Sequence, residues 1–313
     1  MDIALQLTLL VGGLLLALAA SDLAVSYTRA LAAVLGAPPF VVGVVLVALG
    51  TDLPEIANSI ASHLQGEGDV NVGDSVGSTL TQYTFVLGLF PLVIALIAVS
   101  RRQVALITVL TVGGLGLTIL FVADGWLGRL DGLVLVAAWG AAMIAVTRLL
   151  PRTAPEIPPR VKIQGRLSQA GIVLLALAVV GVGATVAVRA LVNLSEEVGA
   201  PEFLLAFFGA SLGTSAPEIA VDITALRRGA PAIALGDALG SSLIDSTLSI
   251  GIGPLVAPAA VTTRLAVTAS LYTLVAVALV GLLLAVRRRH DRRSAAVLMG
   301  LYVLSYFVLI SLN

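Results

Sequence analysis

Gly50-Thr51-Asp52-Leu53-Pro54-Glu55-Ile56-Ala57 and Gly213-Thr214-Ser215-Ala216-Pro217-Glu218-Ile219-Ala220 share six of eight residues at an offset of 163. At the same offset, with no gap, Gly73-Asp74-Ser75-Val76-Gly77-Ser78 meets Gly236-Asp237-Ala238-Leu239-Gly240-Ser241, and four of six residues are identical. Chance similarity between apolar helices would not match Gly, Thr, Pro, Glu, Asp and Ser in one fixed register. The chain therefore reads as a duplication, and each copy of the block lies inside a long apolar stretch.

Those stretches fix the solvent. Of 313 residues, 58% are apolar and only 12% are Asp, Glu, Lys or Arg, about half the charged fraction of an ordinary soluble domain. A soluble protein of this size would lack charge to cover its surface, whereas a bilayer-spanning helix needs about 20 apolar residues. Reading for apolar runs broken by Pro, Gly or charge predicts ten spans, near 3–25, 40–64, 70–97, 103–122, 132–150, 169–192, 203–226, 232–255, 265–286 and 294–311. The first reads as a true span and not a secretory signal, because Asp2 precedes it and no Lys or Arg does. The expected fold class is an all-α polytopic membrane protein: a first five-helix repeat over 1–150, a proline-rich linker over 151–168, and a second repeat over 169–313.

Charge orients the spans. Arg29, Arg101, Arg102, Arg148, the linker bases Arg152, Arg160, Lys162 and Arg166, then Arg227, Arg228 and the Arg287 to Arg293 cluster fall on alternate connections and make up 15 of the 18 basic residues. Basic residues in short connections mark the cytoplasmic side. The expected placement is an integral protein of the plasma (cytoplasmic) membrane, with both termini extracellular and the linker cytoplasmic. Five is odd, so the two copies cross the membrane in opposite directions. Such inverted repeats put a site near the middle of the bilayer, where interrupted helices from each half meet.

The polar residues of the repeat name the chemistry. Pro54 and Pro217 break their helices and free carbonyls around Thr51 and Thr214. Glu55 and Glu218 follow, and an intramembrane carboxylate costs at least ~2.5 kcal/mol by insertion scales unless paired. With no intramembrane Lys or Arg to answer them, the partner is a cation. Ser78 and Gln82 share a helix face, as do Ser241 and Asp245 at the matching positions. Carboxylate, hydroxyl, amide and carbonyl oxygens form the hard-donor set that Ca²⁺ accepts, and Na⁺ takes the same donors. There is no Cys and only two His, His63 and His290, which excludes thiolate or imidazole-rich metal sites. No cofactor, no nucleic acid and no obligate protein partner is expected; the partners are inorganic cations and the lipid bilayer. More ordinary roles cover the rest. Asp74 and Asp237 read as helix caps, and Asp222, aligned with Ser59, as either site or vestibule wall. The glycines read as packing positions, and His63 and Trp126 as interfacial.

At these motifs the chain resembles the sodium/calcium exchanger branch of the calcium:cation antiporters, most strongly over residues 40–90 and 203–252. The resemblance implies exchange of Ca²⁺ for Na⁺ by alternating access, with the first and sixth helices sliding across the core. It places the acidic ligands at Glu55, Glu218 and Asp245 with Gln82 beside them. Further oxygens would come from Thr51, Thr214, Ser78, Ser241, Ser215 and the carbonyl near Ala48. Three positions depart from the family pattern. Asp52 stands where Ser is usual, Gln82 where Asn or Asp is usual, and Ser211 where a small residue, commonly Ala, is usual. Asp52 raises the carboxylates to four, and four close carboxylates cannot all stay charged cheaply. Ca²⁺/H⁺ or other cation/proton exchange is therefore the alternative.

No enzyme is expected. Gly73-Asp74 and Gly236-Asp237 resemble the paired acids of intramembrane aspartyl proteolysis, but that chemistry leaves Glu55 and Glu218 idle. A passive channel usually builds its oxygen-lined ring from several subunits, whereas here one chain supplies both halves of a site.

Overall fold

The computed structural model describes residues 3–150, 166–194, 207 and 211–311. The linker prolines and bases before Arg166, and the start of the predicted seventh span, lie outside the described residues. What is described is mostly helical, and by length and composition seven helices can cross a membrane, or up to eight when the bent pair Pro39–Thr51 and Leu53–Gln65 counts as one span.

The helices repeat at the offset of the sequence blocks. Leu53–Gln65 corresponds to Ala216–Arg227, Gly68–Thr81 to Pro231–Ile244, and Leu87–Val93 to Ile250–Val256. Widened π-helical turns interrupt the two central helices at Gln82–Val86 and Asp245–Ser249, again 163 residues apart. Such turns break the regular ladder and occur frequently at functional sites.

Burial sorts the spans. Gly68–Val93 and Pro231–Val256, with mean hydropathy 1.3, are 78% and 83% buried over their most apolar stretches. Arg129–Leu149, with mean hydropathy 1.9, is only 28% buried. These two helices thus form the centre, and the outer ones present Leu120, Leu130, Ile144, Leu282 and Phe307 outward, as a lipid-facing surface requires.

Glycine lets the central helices cross at backbone distance. A Cβ on Gly240 would come 2.7 Å from the Cα of Val44, and one on Gly236 would strike the carbonyl oxygen of Phe40. On the other side, a Cβ on Gly77 would strike the carbonyl oxygen of Phe207. Each half thereby inserts its central helix against the interrupted helix of the other, and the packing role expected of these glycines holds.

Two short antiparallel ladders join the halves. Leu96–Ala98 pairs with Arg289–Asp291, and Trp126–Leu127 pairs with Ala259–Ala260. The first ladder gathers the connections that carry Arg101, Arg102 and the Arg287 to Arg293 cluster. Arg29 donates to the carbonyl of Arg228 at 2.9 Å, and Arg228 forms an ion pair with Asp22. Basic connections grouped by their charge are thus neighbours in space.

Three readings need correction. The first helix runs Ile3–Leu35, ten residues past the predicted end, because its polar residues have partners: Ser21 lies 2.9 Å from the Thr224 hydroxyl and Asp22 faces Arg228. His63 is not interfacial; it is buried, and its Nδ1–H donates to the Ala257 carbonyl at 2.7 Å. Asp74 and Asp237 cap nothing, since their helices start at Gly68 and Pro231. Trp126 is half exposed, at 51%, as an interfacial residue would be.

Candidate cation site

The helix interruption follows from the repeated motif. At Asp52 and Ser215 the backbone leaves the helical region (φ −77°, ψ 7° and φ −74°, ψ 3°), and the chain bends by 44° at the first of these breaks. Pro54 and Pro217 fall in the first turn of the following helices, where a missing N–H costs no helical bond. Glu55 and Glu218 sit one residue later, at the head of each second segment. The Ala48 carbonyl accepts the Asp52 N–H at 2.9 Å and the Thr51 hydroxyl at 3.1 Å. Its counterpart at Ser211 accepts the Ser215 N–H at 3.0 Å. The extra hydroxyl at Ser211 is turned to the Phe207 carbonyl and is spent there.

Carboxylates converge between these ends. Asp52, Glu55 and Glu218 each offer an oxygen within 4.8 Å of the others', and none is more than 1% exposed. Asp245, also buried, lies close enough to feel the charges of Asp52, Glu55 and Glu218. Both oxygens of Asp52, Glu218 and Asp245, with Oε2 of Glu55, have no hydrogen-bond partner; neither have Oε1 of Gln82 and the hydroxyls of Ser215 and Ser241. Among the described residues, the ion pairs involve only Asp22, Asp291 and nearby arginines, so no basic side chain answers the cluster. Effective penalties of several kcal/mol per buried ion leave a bound cation, or protons, as the compensation.

A reciprocal pair of contacts aligns the halves. The Thr214 hydroxyl donates to Oδ1 of Asp74 at 2.9 Å, and the Thr51 hydroxyl lies 3.3 Å from Oδ1 of Asp237. Ser78 reaches Thr214 at 3.3 Å. Each motif threonine is thus held by the aspartate of the opposite half. Of the twelve residues singled out by sequence, Asp52, Glu55 and Glu218 meet within 4.8 Å, and Thr51, Thr214 and Ser78 contact one another or the flanking aspartates. Asp245, Gln82, Ser215 and Ser241 carry buried atoms without a partner, whereas the Ser211 hydroxyl and the Ala48 carbonyl are engaged within their own helices. Asp74 and Asp237, read as helix caps, belong beside this centre, as does Asp222, for which the site was one of two readings. A usable signal existed, because the predicted spans began at 70 and 232, already placing Asp74 and Asp237 inside the first turn or beyond it.

Buried acids at the junction of crossing, interrupted membrane helices define a class: an integral membrane protein built to hold cations out of contact with lipid. The profile of the family described as "Sodium/calcium exchanger protein" matches residues 5–148 and again residues 168–311, and the chain belongs to that family, a family of cation antiporters with two repeats. It is 28% identical to "Putative antiporter CaxA" of Alkalimonas amylolytica, over 96% of this chain and 97% of that protein. It is 24% identical to "Sodium/calcium exchanger MaX1" of Methanosarcina acetivorans, over 83% and 85% of the two. Its fold is that of the sodium-calcium exchanger NCX_Mj, with a TM-score of 0.80 at 22% identity, covering 97% of this chain and 98% of that one.

Proposed function

We propose that this chain exchanges Ca²⁺ for Na⁺ across the plasma membrane by alternating access, using ten spans arranged as two inverted five-helix repeats. In this reading both termini are extracellular and residues 151–168 form a cytoplasmic linker between 1–150 and 169–313. The observation that carries it is the triad of wholly buried carboxylates, Asp52, Glu55 and Glu218, contributed by both motifs and within 4.8 Å of one another. Glu55 and Glu218 bridge the ions, Asp245 and Gln82 complete the central shell, and the Thr51, Thr214, Ser78, Ser241 and Ser215 oxygens serve flanking ions. The Ala48 carbonyl joins that shell when the Thr51 hydroxyl releases it; Ser211 keeps to its own helix. The occluded site is stable only when its carboxylates are neutralised, by one Ca²⁺ or by several monovalent ions, which forbids switching when empty.

The test is Ca²⁺ uptake into Na⁺-loaded proteoliposomes. Glu55→Gln and Glu218→Gln should each abolish it, and normal exchange by either variant would refute the assignment.

A second reading is favoured by one residue. Asp52 puts a third carboxylate in the triad where the second motif carries Ser215, and both its oxygens lack a donor. If Asp52 carries a proton, H⁺ replaces part of the Na⁺ requirement. Asp52→Ser should then flatten the pH dependence of flux while leaving Ca²⁺ binding partly intact. An unchanged pH profile would count against proton coupling.

A further inference from the structure

One turn beyond Glu218, Asp222 is wholly buried, and neither of its carboxylate oxygens has a partner. Its carboxyl meets that of Asp237, on the adjacent helix Pro231–Ile244, at hydrogen-bonding range. Both are acceptors when ionised, so neither gains a donor. Asp237 Oδ1 has the Thr51 hydroxyl at 3.3 Å, but Oδ2 is buried with no donor.

The matching place in the first half is built differently. Asp74 has Oδ1 held by Thr214 at 2.9 Å and Oδ2 held by the Asn58 amide at 2.5 Å. At the offset of 163, Asn58 corresponds to Val221 and Ser59 to Asp222. The second half therefore lacks the neutral donor and carries an additional acid. The first half is a closed hydrogen-bonded pair, whereas the second is a pair of facing carboxylates. The nearest basic residues on that helix, Arg227 and Arg228, lie at its far end, and Arg228 is engaged by Asp22.

We propose that Asp222 and Asp237 hold a hard metal cation, Na⁺ or Ca²⁺, at a second site beside the Glu218 cluster that exists in the second half only. Two carboxylates converging in a water-poor interior with unfilled lone pairs are what such an ion accepts. The site stands whether or not Glu55 and Glu218 hold the exchanged ion. It gives the pseudo-symmetric molecule one cation stop more on one side of the centre than on the other.

Equilibrium dialysis of the purified full-length protein in detergent, against labelled Ca²⁺ and separately labelled Na⁺, tests this. Asp222→Asn and Asp222→Ser should each bind one equivalent fewer of at least one ion. The double variant Glu55→Gln/Glu218→Gln should keep that equivalent and lose it when Asp222→Asn is added. Unchanged isotherms for both ions in Asp222→Asn, the result expected if a shared proton alone joins the carboxyls, would overturn the proposal. Should these variants not fold, crystals of the unaltered protein soaked in Sr²⁺ or Tl⁺ provide the second measurement. An anomalous peak between Asp222 and Asp237 supports the site, and none in either soak overturns it.

Discussion

Thr51 and Thr214 occupy the same place in the two motifs but are not equally committed. The Thr214 hydroxyl lies 2.9 Å from Asp74, a well-formed hydrogen bond, while Thr51 lies 3.3 Å from Asp237 and has the carbonyls of Ala48 and Val47 within 3.2 Å. A buried acceptor left without its donor costs about 1–3 kcal/mol. Thr214→Val should therefore fall in that range and Thr51→Val below it, as read from thermal unfolding in detergent, with Thr214→Ser restoring most of the loss. Equal losses would mean that the threonines contribute only packing. At this scale the sequence named the acids around Glu55 and Glu218 because charge inside an apolar run is conspicuous. It could not name the Thr214 to Asp74 contact, which joins residues 140 positions apart and exists only once the halves cross.

His290, outside the spans, is held between two partners: its Nε2–H donates to the Leu87 carbonyl at 2.6 Å and its Nδ1 accepts from the Ser294 hydroxyl at 2.8 Å. Burial pushes its pKa below the ordinary value, more than the Leu87 carbonyl offsets. The folded state thus disfavours the protonated ring. Stability from this residue is present above the unfolded pKa of about 6.5 and is lost as pH falls through the lower folded value. His290→Gln should remove part of the acid sensitivity of the unfolding temperature, and an identical pH dependence would rule the histidine out.

Among the elements, the crossing of Pro231–Ile244 over Pro39–Thr51 is the tightest test of packing. Gly240→Ala inserts a methyl 2.7 Å from the Val44 Cα, a backbone atom that cannot rotate away. Overpacking of this kind costs about 1–3 kcal/mol, visible as a lower unfolding temperature. Gly113→Ala, whose added Cβ meets nothing within 4 Å, is the control and should change it little. Element identity was legible in the apolar runs, but the end of the first helix was not. A hydropathy reading stops where Ser21, Asp22 and Arg29 appear, and only the folded chain reveals that helix Ala216–Arg227 and Arg228 partner them. The π-helical turns at Gln82 and Asp245 were equally hidden, since a widened turn leaves the apolar period nearly intact.

For the molecule as a whole, the duplication was the most legible feature, because one offset governs motifs, helices and turns alike. The composition also made a carrier testable against a pore. With several buried carboxylates and no basic partner among the described residues, a cation-free site is too costly to move through the bilayer. Ca²⁺ efflux from loaded proteoliposomes should stop when the outer solution offers no transportable ion and resume on adding Na⁺ or Ca²⁺. Sustained efflux without a counter-ion would make the protein a leak.

The two ladders bear on how such a molecule can move. Leu96–Ala98 with Arg289–Asp291, and Trp126–Leu127 with Ala259–Ala260, knit one half to the other through main-chain bonds, so prising the halves apart like jaws would tear both seams. Helices Ile3–Leu35 and Arg166–Leu194 lie against each other and belong to neither seam. Under the proposed alternating access, the element expected to shift is therefore that outer pair, as a shutter over a stationary block, with the Ser21, Asp22 and Arg29 contacts to Thr224 and Arg228 as what it must release.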